Sequence, residues 1–108
     1  MTTTTGRMVV IYRTPRDPAA FDKHYFDVHI PLAHKLPGLR RYEVSKRPIA
    51  TPAGDAEPYL VAILHFDSLA ALREAFCTPE GRACAADRRV LAPNDDDVQM
   101  YLYESVEV

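Results

Sequence analysis

The chain has 108 residues, 47% of them apolar and 26% charged, with a formal net charge of −2. That is one domain of ordinary globular composition, long enough for one core and too short for two. A faintly acidic chain with scattered basic residues has no electrostatic basis for gripping nucleic acid or an anionic membrane.

The longest aliphatic run, Leu60 to Leu64, is far short of the ~20 residues a bilayer requires, so no membrane span is expected. No apolar stretch precedes Met8, so residues 1–6 read as a flexible tail, residues 7–108 as the domain and the cytoplasm as its location. Cys77 and Cys84 stand two turns apart on an expected helix, about 10 Å. That is too far for a disulfide and the wrong spacing for zinc, so buried, reduced thiols are expected.

Taken in chain order, residues 7–14, RMVVIYRT, are β-branched and aromatic and predict a strand. Asp17 then stands as an N-cap with Pro18 at the first helical position. The helix is expected to run to about Val28. Pro31 has no amide proton for the carbonyl of Asp27, so a kink or break near His29–Ile30 is expected, followed by a short piece to Leu36. Gly38 suits the left-handed turn that stops it.

Leu39 to Lys46 reads as a polar, edge-type strand, and Arg47 to Glu57, with Pro48, Pro52 and Gly54, as a long hairpin loop. Pro58 to Phe66 is the most strand-like run and is apolar on both faces. Ser68 caps a second helix, Thr78-Pro79 opens another that ends at Pro93, and Val98 to Glu107 makes the last strand. The order β-α-β-β-α-β is the ferredoxin-like α+β pattern, with a four-stranded antiparallel sheet. Two helices cover one face of such a sheet, yet three of its strands are apolar on both. A homodimer packed sheet to sheet, as a dimeric α+β barrel, is therefore expected, burying on the order of 2,000 Å² or more.

Phe21 to Gly38 holds three of the four histidines. At 3.6 residues per turn Phe21, Tyr25, Val28, His29, Leu32 and Leu36 share one face, with His29 at its edge. An imidazole there can exchange a proton near neutral pH, and Tyr25, one turn away, can orient it or bind a substrate oxygen. His24 and His34 are expected at the rim or surface. His65 falls on the sheet face assigned to the partner. No fixed spacing such as H-E-x-x-H supports a metal site, and Asp95–Asp97 lacks the glycine and glutamate of a calcium loop. Nucleotide-binding glycine motifs and G-x-S-x-G are absent from the sequence.

The run F-x-x-H-Y-x-x-x-H-x-P-L-A-x-K-L-P-G from Phe21 to Gly38, continued by Leu39-Arg40-Arg41-Tyr42, resembles the EthD family, named for ethyl tert-butyl ether degradation. Leu64 to Leu69 and the T-P-E-G-R-A-C-A-A-D segment from Thr78 to Asp87 look similar too, so the resemblance spans about residues 7–106. It implies the dimeric α+β barrel and an oxidoreductase-type role, or one accessory to oxidative breakdown of small organic molecules. It also carries over His29, Tyr25 and Pro31 as motif positions, with Tyr25 standing where many relatives have tryptophan.

Three functions are open at this point. The first is a cofactor-independent enzyme acting on a small apolar, aromatic or polyketide-like molecule, as an oxidoreductase, dehydratase or decarboxylase. Here His29 is the general acid or base with Tyr25 beside it, and Tyr42, Phe21, Leu32 and Phe66 line the substrate pocket. The second is a haem-binding barrel, which is disfavoured, so no cofactor is expected. The third is a non-catalytic binding protein, in which His29 is buried with both ring nitrogens hydrogen-bonded.

Overall fold

A computed structural model describes residues 4–108. The elements are β1 (Thr4–Tyr12), α1 (Pro18–His24), a π-helical turn (Tyr25–His29), α2 (Ile30–Ala33), β2 (Arg41–Val44), β3 (Ala50–Thr51), β4 (Gly54–Asp55), β5 (Leu60–Phe66), α3 (Leu69–Phe76), α4 (Pro79–Leu91) and β6 (Val98–Val106). A single 3₁₀ turn, Asp95–Asp97, leads into β6. Four strands form one antiparallel sheet in the order β2-β5-β1-β6, and β3 and β4 make a separate two-stranded hairpin inside the 47–57 loop. This is the ferredoxin-like α+β fold. No helix among the described residues is long and apolar enough to cross a membrane.

The β1 strand starts earlier than the expected boundary at Arg7. Thr4–Gly6 pair with Glu104–Val106, and the Thr5 and Ser105 hydroxyls meet at 2.9 Å. Residues 4–6 therefore belong to the sheet rather than to a tail, because β-branched threonines extend a strand that already has a partner. The rest of the expected tail lies outside the described residues. The β2 strand is shorter than Leu39–Lys46.

The capping residues act as their chemistry dictates. Asp17 accepts from the Ala20 amide at 3.1 Å, Ser68 from Ala71 at 3.0 Å and Thr78 from Gly81 at 3.1 Å. Gly38 takes φ +79° after α2. Gly81 is fixed by contact: a Cβ there would lie 2.2 Å from the Ala75 carbonyl oxygen, so α4 approaches α3 by backbone.

The interruption in the first helix is a π turn, spread over Tyr25–His29 and not a break at residue 30. The Ile30 amide reaches back five residues to the Tyr25 carbonyl. One extra residue in the turn relieves the clash between the Pro31 ring and the Asp27 carbonyl. It also resets the helical phase. In a continuous α-helix His29 lies about 80° round the axis from Phe21; here the turn brings it back into line, and it is 6% exposed instead of at the face's edge. Ala33 then points inward, so Leu32 is only half-buried and Val28 is exposed.

The core lies between the helices and one sheet face. Met8, Val10 and Tyr12 of β1 and Leu60, Ala62, Leu64 and Phe66 of β5 form its floor, closed by Phe21, Tyr25, Leu36, Leu72, Ala75 and Cys84. Only Cys84 of the two thiols is buried; Cys77 follows the last turn of α3 and is exposed. The opposite sheet face carries Val9, Ile11, Val61, Ile63, Tyr101 and Tyr103, and no element among the described residues covers it.

Candidate functional site

The phase shift of the π turn aims His29 between the sheet and α4. There its Nδ1 meets Asp87 Oδ2 at 2.9 Å. The other oxygen of the same carboxylate, Oδ1, meets His24 Nε2 at 2.8 Å. One aspartate thus bridges two imidazoles, with His29 and Asp87 nearly buried and His24 about one-third exposed. A carboxylate only accepts, so the His29 Nδ1 carries the proton and donates. Burial holds the His29 pKa below its ordinary 6.5, against the opposing pull of the Asp87 hydrogen bond, and His24 lowers it further. The ring is therefore neutral at pH 7.

Its Nε2 has no hydrogen bond within the described residues. No buried side-chain nitrogen or oxygen among those residues lacks a partner, so Nε2 faces open space. That space is a cavity of about 190 Å³. Met8, Val10, Ala62 and Leu64 make its apolar wall, and Tyr12, Tyr25, His29 and Tyr42 bring polar groups to it. Arg88 and Arg89 also line it, and the Arg88 guanidinium donates to the Ala92 carbonyl at 3.2 Å.

Tyr25 does not hydrogen-bond His29. The two rings pack at 5.2 Å between centroids, while the Tyr25 hydroxyl pairs with that of Tyr42 at 2.5 Å. Burial raises Tyr25 far above the usual phenol range, with Tyr42 adding to the rise. Burial pushes Tyr42 up to about 12, and the bond from Tyr25 pulls it back down. Either hydroxyl can donate in this pair, and in the arrangement where Tyr25 donates, the Tyr42 proton is left for the cavity. Burial also pushes the Cys84 thiol up to about 11, so it serves as wall and not as nucleophile.

Of the residues singled out from sequence, His29, Tyr25 and Tyr42 converge on this cavity. Phe21 lines a different hollow, the cleft between α1 and the end of α4, and stacks on Tyr25 at 5.8 Å. Leu32 lines neither hollow, because the π turn rotates it away. Phe66 lies at the far end of β5, fully buried beside Gly38, and belongs to the core. His24 lies at the rim, as expected, about one-third exposed, and there hydrogen-bonds Asp87. His34 is exposed beside Tyr42, and His65 sits on the uncovered sheet face between Arg7 at 2.6 Å and Glu43 at 2.6 Å.

Two residues were missed. Asp87 is 58 positions from His29; its signal is an acid directly after the Ala-rich run of α4, three residues beyond buried Cys84. Tyr12 ends an otherwise aliphatic inward row, Met8, Val10, Tyr12. Among the described residues no group of three or more His, Cys, Asp or Glu side chains is arranged to hold a metal ion.

The EthD domain model matches residues 13–94, a narrower span than the motif resemblance embraced. The chain belongs to the EthD family. It is 33% identical to an EthD family protein from Bacillus halodurans, whose structure superposes with a TM-score of 0.80 over 96% of this chain and 99% of that one. An uncharacterized 11.0 kDa protein of Rhodococcus erythropolis, from the thcB–thcC intergenic region, is 39% identical over 84 residues, 75% of this chain and 78% of the relative. SnoaB, a cofactor-independent oxygenase from Streptomyces nogalater, shares the fold at 18% identity and a TM-score of 0.61, over 93% of this chain and 90% of its own. The matched EthD segment contains the π turn, Tyr42 and Asp87, so every polar group on the cavity except Tyr12 lies within it.

Proposed function

We propose that this EthD protein catalyses cofactor-independent proton transfer on a small, mostly apolar molecule bearing an oxygen. His29 Nε2 is the general base, Asp87 the group that fixes its tautomer and stabilises the imidazolium, and Tyr42, backed by Tyr25, the donor to the substrate oxygen. One observation carries this reading: His29 is a buried imidazole with Nδ1 held by a carboxylate and Nε2 turned to a cavity with an apolar wall. A purely structural histidine has both nitrogens satisfied. An aspartate on the far nitrogen is also how a base is oriented and its charged form stabilised in acyl-transfer triads.

Deuterium incorporation next to the carbonyl of cyclohexanone in D₂O, followed by mass spectrometry, tests the reading. The wild-type protein is expected to accelerate exchange over buffer, and folded His29→Ala to lose the acceleration. Equal rates in the two proteins overturn it.

A second reading has the carbanion so formed react with dioxygen, the oxidoreductase-type role. It is favoured by the fold shared with SnoaB, which is analogy at the level of architecture. Substrate-dependent, His29-dependent oxygen consumption separates it from proton transfer alone.

The protein is further proposed to act as a homodimer joined by the uncovered sheet face. On β6 alone Tyr101 is 53% exposed and Tyr103 40%, which a monomer seldom tolerates beside Val9, Ile11, Val61 and Ile63. Sedimentation should give twice the 12.2 kDa chain mass, and Tyr101→Arg should shift it toward one chain.

A further inference from the structure

Tyr12 ends the buried row Met8, Val10, Tyr12 of β1 and brings a hydroxyl to it. Its ring is 2% exposed and is held edge-on by Phe21 at 5.3 Å and Tyr25 at 6.0 Å between centroids. Nevertheless its hydroxyl makes no hydrogen bond to any described residue. Since no buried side-chain oxygen lacks a partner among those residues, the small remaining exposure of Tyr12 must include this hydroxyl.

The ring stands between two hollows, the His29 cavity and the outer cleft, and touches both. It shares the first with His29, Tyr42 and Tyr25, whose ring centroid lies 6.0 Å from its own. Burial raises its pKa well above the usual phenol range, so it remains a donor at any ordinary pH. The cavity thus offers donors at Tyr12 and Tyr42 and an acceptor at His29 Nε2, above a floor of Met8, Val10, Ala62 and Leu64.

Its volume suits a ligand of one ring. An apolar cavity of about 150 Å³ holds benzene, so about 190 Å³ accommodates one six-membered ring with a few substituent atoms.

We propose that Tyr12 is a substrate-oxygen donor, and that the site takes a single-ring molecule with a phenol or enol hydroxyl. The oxygen of that hydroxyl accepts from Tyr12, and its proton passes to His29 Nε2. The O–H bond of the ligand breaks, the N–H bond at Nε2 forms, and the products are a phenolate or enolate and an imidazolium paired with Asp87. No electrons change hands, and the reverse step restores both partners. This rests on the base role given to His29 above but adds the oxygen-binding residue and the ligand class.

The probe is 4-nitrophenol, whose phenolate is coloured. Wild-type protein is expected to bind it and to raise the ionised fraction above that of free 4-nitrophenol at the same pH. Tyr12→Phe, which keeps the ring packing, is expected to weaken binding about ten- to a hundredfold, the range for a hydrogen bond to a charged oxygen. Toluene affinity should be unchanged in that variant. Should Tyr12→Phe melt early, nuclear Overhauser contacts between bound 4-nitrophenol and the Tyr12 ring in wild-type protein decide the matter. Unchanged 4-nitrophenol affinity in the variant, no such contacts, or no binding at millimolar concentration overturns the proposal. His29-dependent exchange of cyclohexanone survives that outcome, and Tyr12-dependent phenol binding survives a failed exchange experiment, so the two readings fall separately.

Discussion

The two hollows on either side of Tyr12 differ in more than size. The outer cleft has about 490 Å³ and the inner cavity about 190 Å³. Around the outer cleft the polar groups are solvated or already committed: Asp17 caps α1, and Asp97 takes the Asn94 amide at 3.4 Å. Arg13 and Arg16 are exposed. Around the inner cavity Tyr12, Tyr25 and His29 are almost wholly buried, and two of their polar atoms, His29 Nε2 and the Tyr12 hydroxyl, have no protein partner among the described residues. A desolvated group with unused hydrogen-bonding capacity binds or reacts far more strongly than a wet one. Unused hydrogen-bonding capacity on nearly buried side chains, rather than volume, marks the functional hollow.

The comparison is broken most directly at Asp87. Asp87→Asn keeps the shape but removes the charge that orients His29 and stabilises its imidazolium. Exchange should fall by about 10²–10⁴-fold, the range associated with general-base catalysis and its orienting acid, and the His29 titration should move to lower pH. If Arg16→Ala in the outer cleft costs as much, the distinction between the hollows is lost.

The pH dependence of stability sharpens it. The folded protein holds the His29 pKa below the 6.5 of an unconstrained histidine, so the unfolded chain takes up a proton first as pH falls. The stabilisation is complete above pH 6.5 and is lost as pH drops from there through the folded value, at up to about 1.4 kcal/mol per pH unit. Urea midpoints in wild-type protein should show this slope, and His29→Gln should remove it.

Smaller effects are expected from the supports of the inner wall. Gly81→Ala forces a Cβ against the Ala75 carbonyl and pushes α4, with Asp87 on it, away from the sheet; overpacking of this kind costs about 1–3 kcal/mol, readable from denaturant unfolding. Tyr25→Phe leaves the Tyr42 hydroxyl without its buried hydrogen-bond partner, at about 1 kcal/mol or somewhat more. Smallest of all, Arg13→Ala and Arg16→Ala should shift stability by less than about 0.5 kcal/mol and leave exchange within twofold.

What could be read from the sequence follows the range of the forces involved. Caps at Asp17, Ser68 and Thr78, the stop at Gly38 and the alternation of β5 are set by neighbours a few residues away, and local chemistry predicts them. Pro31 announces an irregularity, but whether the helix breaks, kinks or widens depends on tertiary packing. The widening decides that Ala33 faces inward and Leu32 does not, which is why Leu32 leaves the site. Asp87 becomes a partner of His29 only through the crossing of α4 over the π turn, and its place three residues after Cys84 does not by itself reveal that contact. Tyr12 was visible as the last inward residue of its strand. That its hydroxyl lacks a partner is a fact of the folded core alone.

The account turns on one imidazole, and long-range ¹⁵N–¹H spectra of His29 as a function of pH test it most directly. The prediction is a neutral ring at pH 7 with the proton on Nδ1 and none on Nε2, titrating below 6.5 and losing this pattern in Asp87→Asn. A ring protonated on Nε2 at neutral pH, or one titrating at or above 6.5, contradicts it.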